Sequence, residues 1–250
     1  MSTPEPTDGR SLGRRVVFDI RDKIVQEYGR PEEYLTEKYP SNYFDYFIDI
    51  GARGIVNPWH LNFIAKASPN TLCIGYEPDI PYYEELREEI EKEKISNAKV
   101  HPEGFGTGEP MMTPQGSSKT VTIKEVFENY NLDPSKRWSF KIDCEGGEYA
   151  LLDPRCSDCV ELLKQADHLA LEFHTRDAGQ NFFTGTNILP ATFDKGQLWM
   201  METFANTHRV FLTSAEPGLR TFVLLSETIL SEMDDLFWND ILTDDLRKAL

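Results

Sequence analysis

Short apolar runs that stop at an acidic residue beside glycine, each followed by a charged amphipathic stretch, constrain this chain more than any other feature. Tyr43–Ile50 (YFDYFIDI), Thr71–Tyr76 (TLCIGY), Ala98–His101, Trp138–Asp143 (WSFKID) and His168–Phe173 (HLALEF) are rich in β-branched and aromatic residues, which predicts five strands. Helical spacing predicts helices between them, over Trp59–Ala67, Pro81–Lys94, Val121–Tyr130 and Glu148–Gln165. In the second of these, Tyr83, Leu86 and Ile90 share one face. Strands joined through helices pair in parallel, because parallel neighbours need a crossover. Arg209–Thr213 and Thr221–Ser226 flank Glu216-Pro217-Gly218 and predict a hairpin that adds an antiparallel strand at one edge. The expectation is therefore an α/β fold: a doubly wound, mostly parallel seven-stranded, Rossmann-like sheet with an antiparallel edge hairpin.

The flanks read differently. Met1–Ser11 is a polar lead-in, and Leu12–Tyr28 carries Val16, Val17, Ile20, Ile24 and Val25 at the spacing of a docking helix. A Pro- and Tyr-rich connector, Arg30–Asn42, leads to the main domain over 43–230, and an acidic helix is expected over 231–250. The loop from His174 to Phe193, with Phe182 and Phe183, is long enough to suggest a function; a helix follows around Gly196–Asn206. In that helix Trp199, Met200, Met201 and Phe204 are expected to pack on the sheet.

Acidic residues outnumber basic ones, giving a formal net charge of −16. This disfavours nucleic acid and anionic membrane as partners, since phosphates would repel the surface. No apolar run is long enough to span a bilayer. Met1–Arg15 lacks the apolar core of a secretory signal, so a cytoplasmic location is expected, with the four cysteines reduced. Cys156-Ser157-Asp158-Cys159 has half of a zinc site's spacing without a second pair, and reads as a solvent-facing helix turn.

Ligands of doubly wound sheets sit at the carboxyl ends of the strands, which here carry Asp49, Glu77 and Asp143. Asp49-Ile50-Gly51-Ala52-Arg53-Gly54 is a glycine turn at which backbone can approach a ligand closely. An acid before the first glycine would repel a pyrophosphate but suits an ammonium group. Glu77, in Glu77-Pro78-Asp79, is placed to accept ribose hydroxyls. The pair favours an adenosyl ligand with an amino-acid end over a dinucleotide. Phe140–Glu148 (FKIDCEGGE) then sets three carboxylates in six positions, a cluster that is costly unless cations or ligands share it.

These segments resemble, in order, the motifs of the FkbM-type S-adenosylmethionine-dependent methyltransferases: DIGA at Asp49–Ala52, EPD at Glu77–Asp79, KIDCEGGE at Lys141–Glu148 and LEFH at Leu171–His174. The resemblance covers roughly half of the chain and implies a class I methyltransferase fold. It further implies that Asp49, Gly51 and Ala52 lie along the methionine moiety, with Glu77 and Pro78 at the ribose. Glu103-Gly104-Phe105 would lie near the adenine. Members methylate hydroxyls of sugars and natural products, so a small or glycan acceptor is expected. Arg53 departs from the small polar residue usual in the family and is expected to reach a substrate or a carboxylate.

Transfer to a hydroxyl needs alignment and removal of a proton. Candidate bases are His174, Asp143 and Glu145. Asp143, Glu172 and His174, at neighbouring strand ends, could instead hold Mg²⁺ or Mn²⁺, as catechol-type methyltransferases hold a metal at the ends of their fourth and fifth strands. Two other readings remain at this stage: a methyltransferase-like partner subunit without activity, and a nicotinamide-dependent oxidoreductase, which the missing third glycine disfavours.

Overall fold

The computed structural model describes residues 44–53, 60–144, 147–174, 190–216 and 219–231. The expected helix over 12–28, the acidic helix beyond Ser231, most of the loop with Phe182 and Phe183, and Glu145 all lie outside the described residues.

In chain order, β1 (Tyr46–Ile50), α1 (His60–Ala67), β2 (Leu72–Tyr76), α2 (Ile80–Glu93) and β3 (Ala98–His101) form the first half. Four short strands follow: β4 (Gly104–Phe105), β5 (Met111–Thr113), β6 (Gly116–Ser118) and β7 (Thr120–Val121). The second half comprises α3 (Ile123–Tyr130), β8 (Trp138–Ile142), α4 (Ser157–Leu163), β9 (His168–His174), α5 (Pro190–Phe204), β10 (His208–Glu216) and β11 (Leu219–Ser226). The main sheet has seven strands in the order β10-β11-β9-β8-β1-β2-β3. All neighbours from β9 to β3 are parallel, while β11 pairs antiparallel with both β9 and β10. The hairpin thus enters whole, with β11 between β9 and the edge strand β10. The order reverses between β1 and β8, so the topological switch point lies where Ile50 and Ile142 end.

Each face is buried. Ile48, Ile50, Phe140, Ile142, Leu169, Leu171 and Phe173 join one apolar cluster, with Val126, Met200 and Phe204 from the helices. Phe47 and Cys73 join another, with Leu61 and Ile64 of α1 and Leu86 and Ile90 of α2. Because side chains alternate along a strand, the residues between the first set fall on the second face: Asp49, Lys141, Glu172 and His174. The alternation therefore carries polar groups from three adjacent strands to one side of the sheet.

Local signals account for most of the boundaries. Thr122 and Glu125 form a reciprocal capping box at the start of α3, and Asn131 closes that helix in the left-handed conformation. Pro81 opens α2, and Lys94 closes it with φ 58°.

Four expectations change. The helix over Glu148–Gln165 is interrupted: 3₁₀ turns cover Gly147–Leu152 and Pro154–Cys156 before α4 begins. Pro154 has no N–H to continue a helix, and the Asp153 side chain accepts from Arg155 N instead. The segment after β3, for which the sequence patterns predict no strand, is organised by the β5–β6 hairpin and the β4–β7 pair. Cys156 and Cys159 are buried, not solvent-facing, and burial pushes the Cys156 thiol up to about 12. On α5, Met200 and Phe204 pack on the sheet as expected, but Met201 faces solvent.

Candidate active site

The glycine turn after β1 is tied to both neighbouring strands. Gly51 N and Ala52 N donate to Tyr76 O at 2.9 and 3.2 Å, and Asp143 N donates to Ile50 O at 3.0 Å. Gly51 has φ +75°, and a Cβ there would lie 1.7 Å from the Asp143 carbonyl oxygen. Only glycine lets β1 and β8 converge this closely at their ends.

Asp49 is buried and paired. Lys141, its register partner on β8, donates to Asp49 Oδ1 at 3.0 Å and to Gly51 O at 3.3 Å. The same ammonium lies 3.8 Å from Asp143 Oδ2. Motif and spacing assign Lys141 no role of its own. A signal for it is nonetheless present: a lysine amid a five-residue buried strand needs an acid beside it.

At the end of β2, Glu77 and Pro78 are buried, and Glu77 Oε1 accepts from Asp79 N at 2.9 Å. Burial pushes the Glu77 carboxyl up to about 7 against the hydrogen bond from Asp79 N; the Asp79 charge adds to the rise, while Arg53 and Lys141 oppose it. Both cations are therefore close enough to act on Glu77, so the ends of β1, β2 and β8 share one electrostatic environment. Arg53 is exposed; it donates to the Tyr82 hydroxyl at 2.6 Å and its guanidinium lies 4.1 Å above that ring. Ala52 is buried against α1.

The residues expected near adenine divide. Glu103 lies at the surface beside His101, which stacks on Tyr76 with centroids 5.0 Å apart. Phe105 is buried in the apolar cluster against Phe140, so its side chain is core and only its backbone is left for a ligand. Gly104 makes room for Met111 of the β5–β6 hairpin, whose sulfur sits where a Cβ would be.

At the ends of β8 and β9, Asp143, Glu172 and His174 each offer one ligand atom, and these lie within 4.8 Å of one another. His174 Nε2 is 3.2 Å from Glu172 Oε1 and 3.5 Å from Asp143 Oδ1. Its Nδ1 is 3.1 Å from Glu148 Oε1, which also accepts from His174 N at 2.8 Å. Glu148 is fully buried on the first 3₁₀ turn; sequence reasoning did not give it this positioning role. Tyr149 donates to His174 O at 2.9 Å, and Thr221 to Glu172 Oε2 at 2.9 Å. Burial disfavours a charged ring, but Glu148 and Glu172 more than offset it and push His174 up to about 11. Two acids thus flank Nε2 and a third holds Nδ1, an arrangement that favours a proton on the ring. Asp143 is the more open of the three.

No protein-family model matches the chain, and no curated protein matches it. Among solved structures it is similar to the methyltransferase FkbM from Methylobacillus flagellatus KT, at 14% identity and TM-score 0.48 over 87% of this chain and 60% of that one. This chain thus spans about three fifths of that protein. It is similar to an rRNA methylase from Streptococcus thermophilus at 10% identity and TM-score 0.44, over 79% of this chain and 97% of that one. A candidate methyltransferase from Streptococcus mutans, solved with SAH, gives 13% identity and TM-score 0.44 over 79% and 98%. Likenesses at this level add nothing to the strand order, which by itself establishes the doubly wound, mostly parallel seven-stranded sheet with its antiparallel hairpin.

Proposed function

We propose that this chain is an S-adenosylmethionine-dependent O-methyltransferase acting on a hydroxyl of a small acceptor, in the first instance a sugar or glycan. The observation that carries the reading is the gathering of Asp49, Lys141, Asp143, Glu172 and His174 on one face at the switch point, next to Glu77. A sulfonium nucleoside with an amino-acid end matches that set. Glu77 takes ribose hydroxyls, Lys141 faces the amino-acid carboxylate, and Asp49 offers its second oxygen to the ammonium. The Gly51 turn lets the ligand lie against backbone, with Pro78 and Glu103 bordering the nucleoside.

The acceptor approaches the ends of β8 and β9. Methyl transfer is a displacement at an already activated carbon, so the protein's work is alignment and proton removal. Asp143, the most open of the three side chains, is the group to accept the hydroxyl proton. The same residues fit a divalent cation: two carboxylates and an imidazole converge, and Glu148 fixes Nδ1 so that Nε2 faces both acids. Asp143, Glu172 and His174 would hold Mg²⁺ or Mn²⁺, which lowers the pKa of a bound hydroxyl when present. No helix among the described residues is long and apolar enough to cross a membrane, and four buried, unpaired cysteines suit a reducing cytoplasm.

Two measurements test the proposal. Calorimetry should show micromolar binding of S-adenosylhomocysteine and none of NAD⁺; the reverse result overturns it. Labelled methyl from S-adenosylmethionine should then appear in an extracted glycan mixture, assayed with and without Mn²⁺. Cofactor binding without transfer to any hydroxylated acceptor would instead identify a partner subunit that keeps the fold.

A further inference from the structure

Each of the three side chains that converge at the ends of β8 and β9 has a neighbour from a different part of the chain. Lys141 lies beside Asp143, and Glu148 holds Nδ1 of His174. Glu172 is held from the hairpin. Thr221 of β11 is its register partner, and the Thr221 hydroxyl donates to Glu172 Oε2 at 2.9 Å. Directly opposed residues of an antiparallel pair share a face. The register that sets Phe222 against Phe173 in the core therefore puts Thr221 beside Glu172 at the site. The next residues along that face of β11 are Val223 and Leu225, both buried. A valine at 221 would continue the apolar series and suit a strand as well as threonine does. Instead a hydroxyl stands opposite the one carboxylate of β9.

This bond divides the work of the two carboxylate oxygens. Oε2 is engaged by Thr221, while Oε1 lies 3.2 Å from His174 Nε2. The Glu172 side chain is 23% exposed, and the last torsion of a glutamate is broad, so packing alone does not set the plane of the carboxylate. We propose that Thr221 is a positioning residue, which holds Glu172 so that Oε1 stays on the side of Asp143 and His174, where a divalent cation would bind. The inference rests on the reading of those three residues as a Mg²⁺ or Mn²⁺ site and deepens it, since it gives the antiparallel hairpin a part in that site. Partners that orient ligating groups in this way typically contribute about 10–100-fold to metal affinity. Losing Thr221 leaves the number and charge of the ligands unchanged and frees one of them to rotate.

The test compares the full chain with Thr221→Val and Thr221→Ser. Each is titrated with Mn²⁺ by electron paramagnetic resonance and melted in the presence of a chelator. Valine keeps the branched shape but donates nothing, whereas serine donates but gives up the methyl group. Thr221→Val should melt no lower than Thr221→Ser, yet bind Mn²⁺ at least about tenfold more weakly than the original chain. Thr221→Ser should stay within severalfold of the original. A role in packing alone predicts that Thr221→Ser loses as much Mn²⁺ affinity as Thr221→Val or more, and that result overturns the proposal. Unchanged affinity in Thr221→Val overturns it as well, as does a lack of Mn²⁺ binding by the original chain. Parallel titration with S-adenosylhomocysteine keeps the two readings apart. If the original chain binds that compound while Thr221→Val leaves Mn²⁺ affinity unchanged, the cofactor reading stands without Thr221. If the original chain does not bind it, the methyltransferase reading falls, and the Mn²⁺ titrations still decide the role of Thr221.

Discussion

Asp49 and Lys141 are register partners on adjacent parallel strands, and Lys141 Nζ lies 3.0 Å from Asp49 Oδ1 with both side chains buried. A buried pair of this kind is strongly destabilising when halved, because the remaining charge has neither water nor a partner. Lys141→Met should therefore cost about 3–5 kcal/mol in urea unfolding. The double variant Asp49→Asn, Lys141→Met should recover much of that loss. A single variant as stable as the original chain would mean that the ion pair is not a structural element of the switch point.

Gly51 yields a second prediction, from space alone. A methyl group at this position meets the Asp143 carbonyl oxygen at 1.7 Å, and φ of +75° is unfavourable for alanine as well. The conformational cost is about 1–2 kcal/mol, and the contact forces β1 and β8 apart at their ends. Gly51→Ala should unfold at clearly lower urea concentration and lose S-adenosylhomocysteine binding together with stability. Gly108 is the control, since it also has positive φ but nothing lies within 4 Å of where its Cβ would be. Gly108→Ala should cost only the conformational part and keep binding.

Glu77 links stability to pH. Its carboxyl is pushed up to about 7 by burial, so the folded chain holds this proton more tightly than the unfolded chain does. The stability from this group is full below the ordinary glutamate range and is lost as pH rises through about 7. Glu77→Gln lacks that loss: it should match the original chain near the acid end and exceed it above neutral pH by as much as roughly 3 kcal/mol. It should also bind S-adenosylhomocysteine about tenfold more weakly, as expected for a lost hydrogen bond to a charged acceptor. Parallel pH profiles of unfolding free energy for the two chains would remove Glu77 as the titrating group.

The sheet was legible from the sequence because strand and helix periods differ and the runs were clean; β1, β2, β3, β8 and β9 begin and end within a few residues of expectation. The broken helix before α4 was not, although Pro154 carried the signal, because apolar spacing continues across it. At the candidate site, residue types at strand ends singled out Asp49, Glu77, Asp143, Glu172 and His174, which lie at the ends of β1, β2, β8 and β9. What period and motif could not give was pairing across strands. That Lys141 neutralises Asp49, that Glu148 reaches back from a 3₁₀ turn to His174, and that Phe105 turns into the core all depend on register and on a turn whose geometry no local pattern encodes.

On the proposed function, the His174 ring borders the proton that the acceptor hydroxyl loses, and Glu148 holds that ring. Glu148 is fully buried and binds both the backbone N and Nδ1 of His174, which fixes the ring and turns Nε2 toward Asp143 and Glu172. Groups that orient a metal-binding imidazole in this way typically contribute about 10–100-fold to metal affinity or activity. Glu148→Gln keeps an oxygen for the backbone N–H but removes the charge that holds the Nδ1 proton. It should weaken Mn²⁺ binding, followed by electron paramagnetic resonance, by about 10–100-fold, with a smaller change in S-adenosylhomocysteine affinity, since the proposal seats that ligand nearer β1 and β2. Mn²⁺ binding equal in the two proteins would separate Glu148 from any metal. Absence of Mn²⁺ binding in the original chain, with methyl transfer intact, would assign proton removal to Asp143 alone.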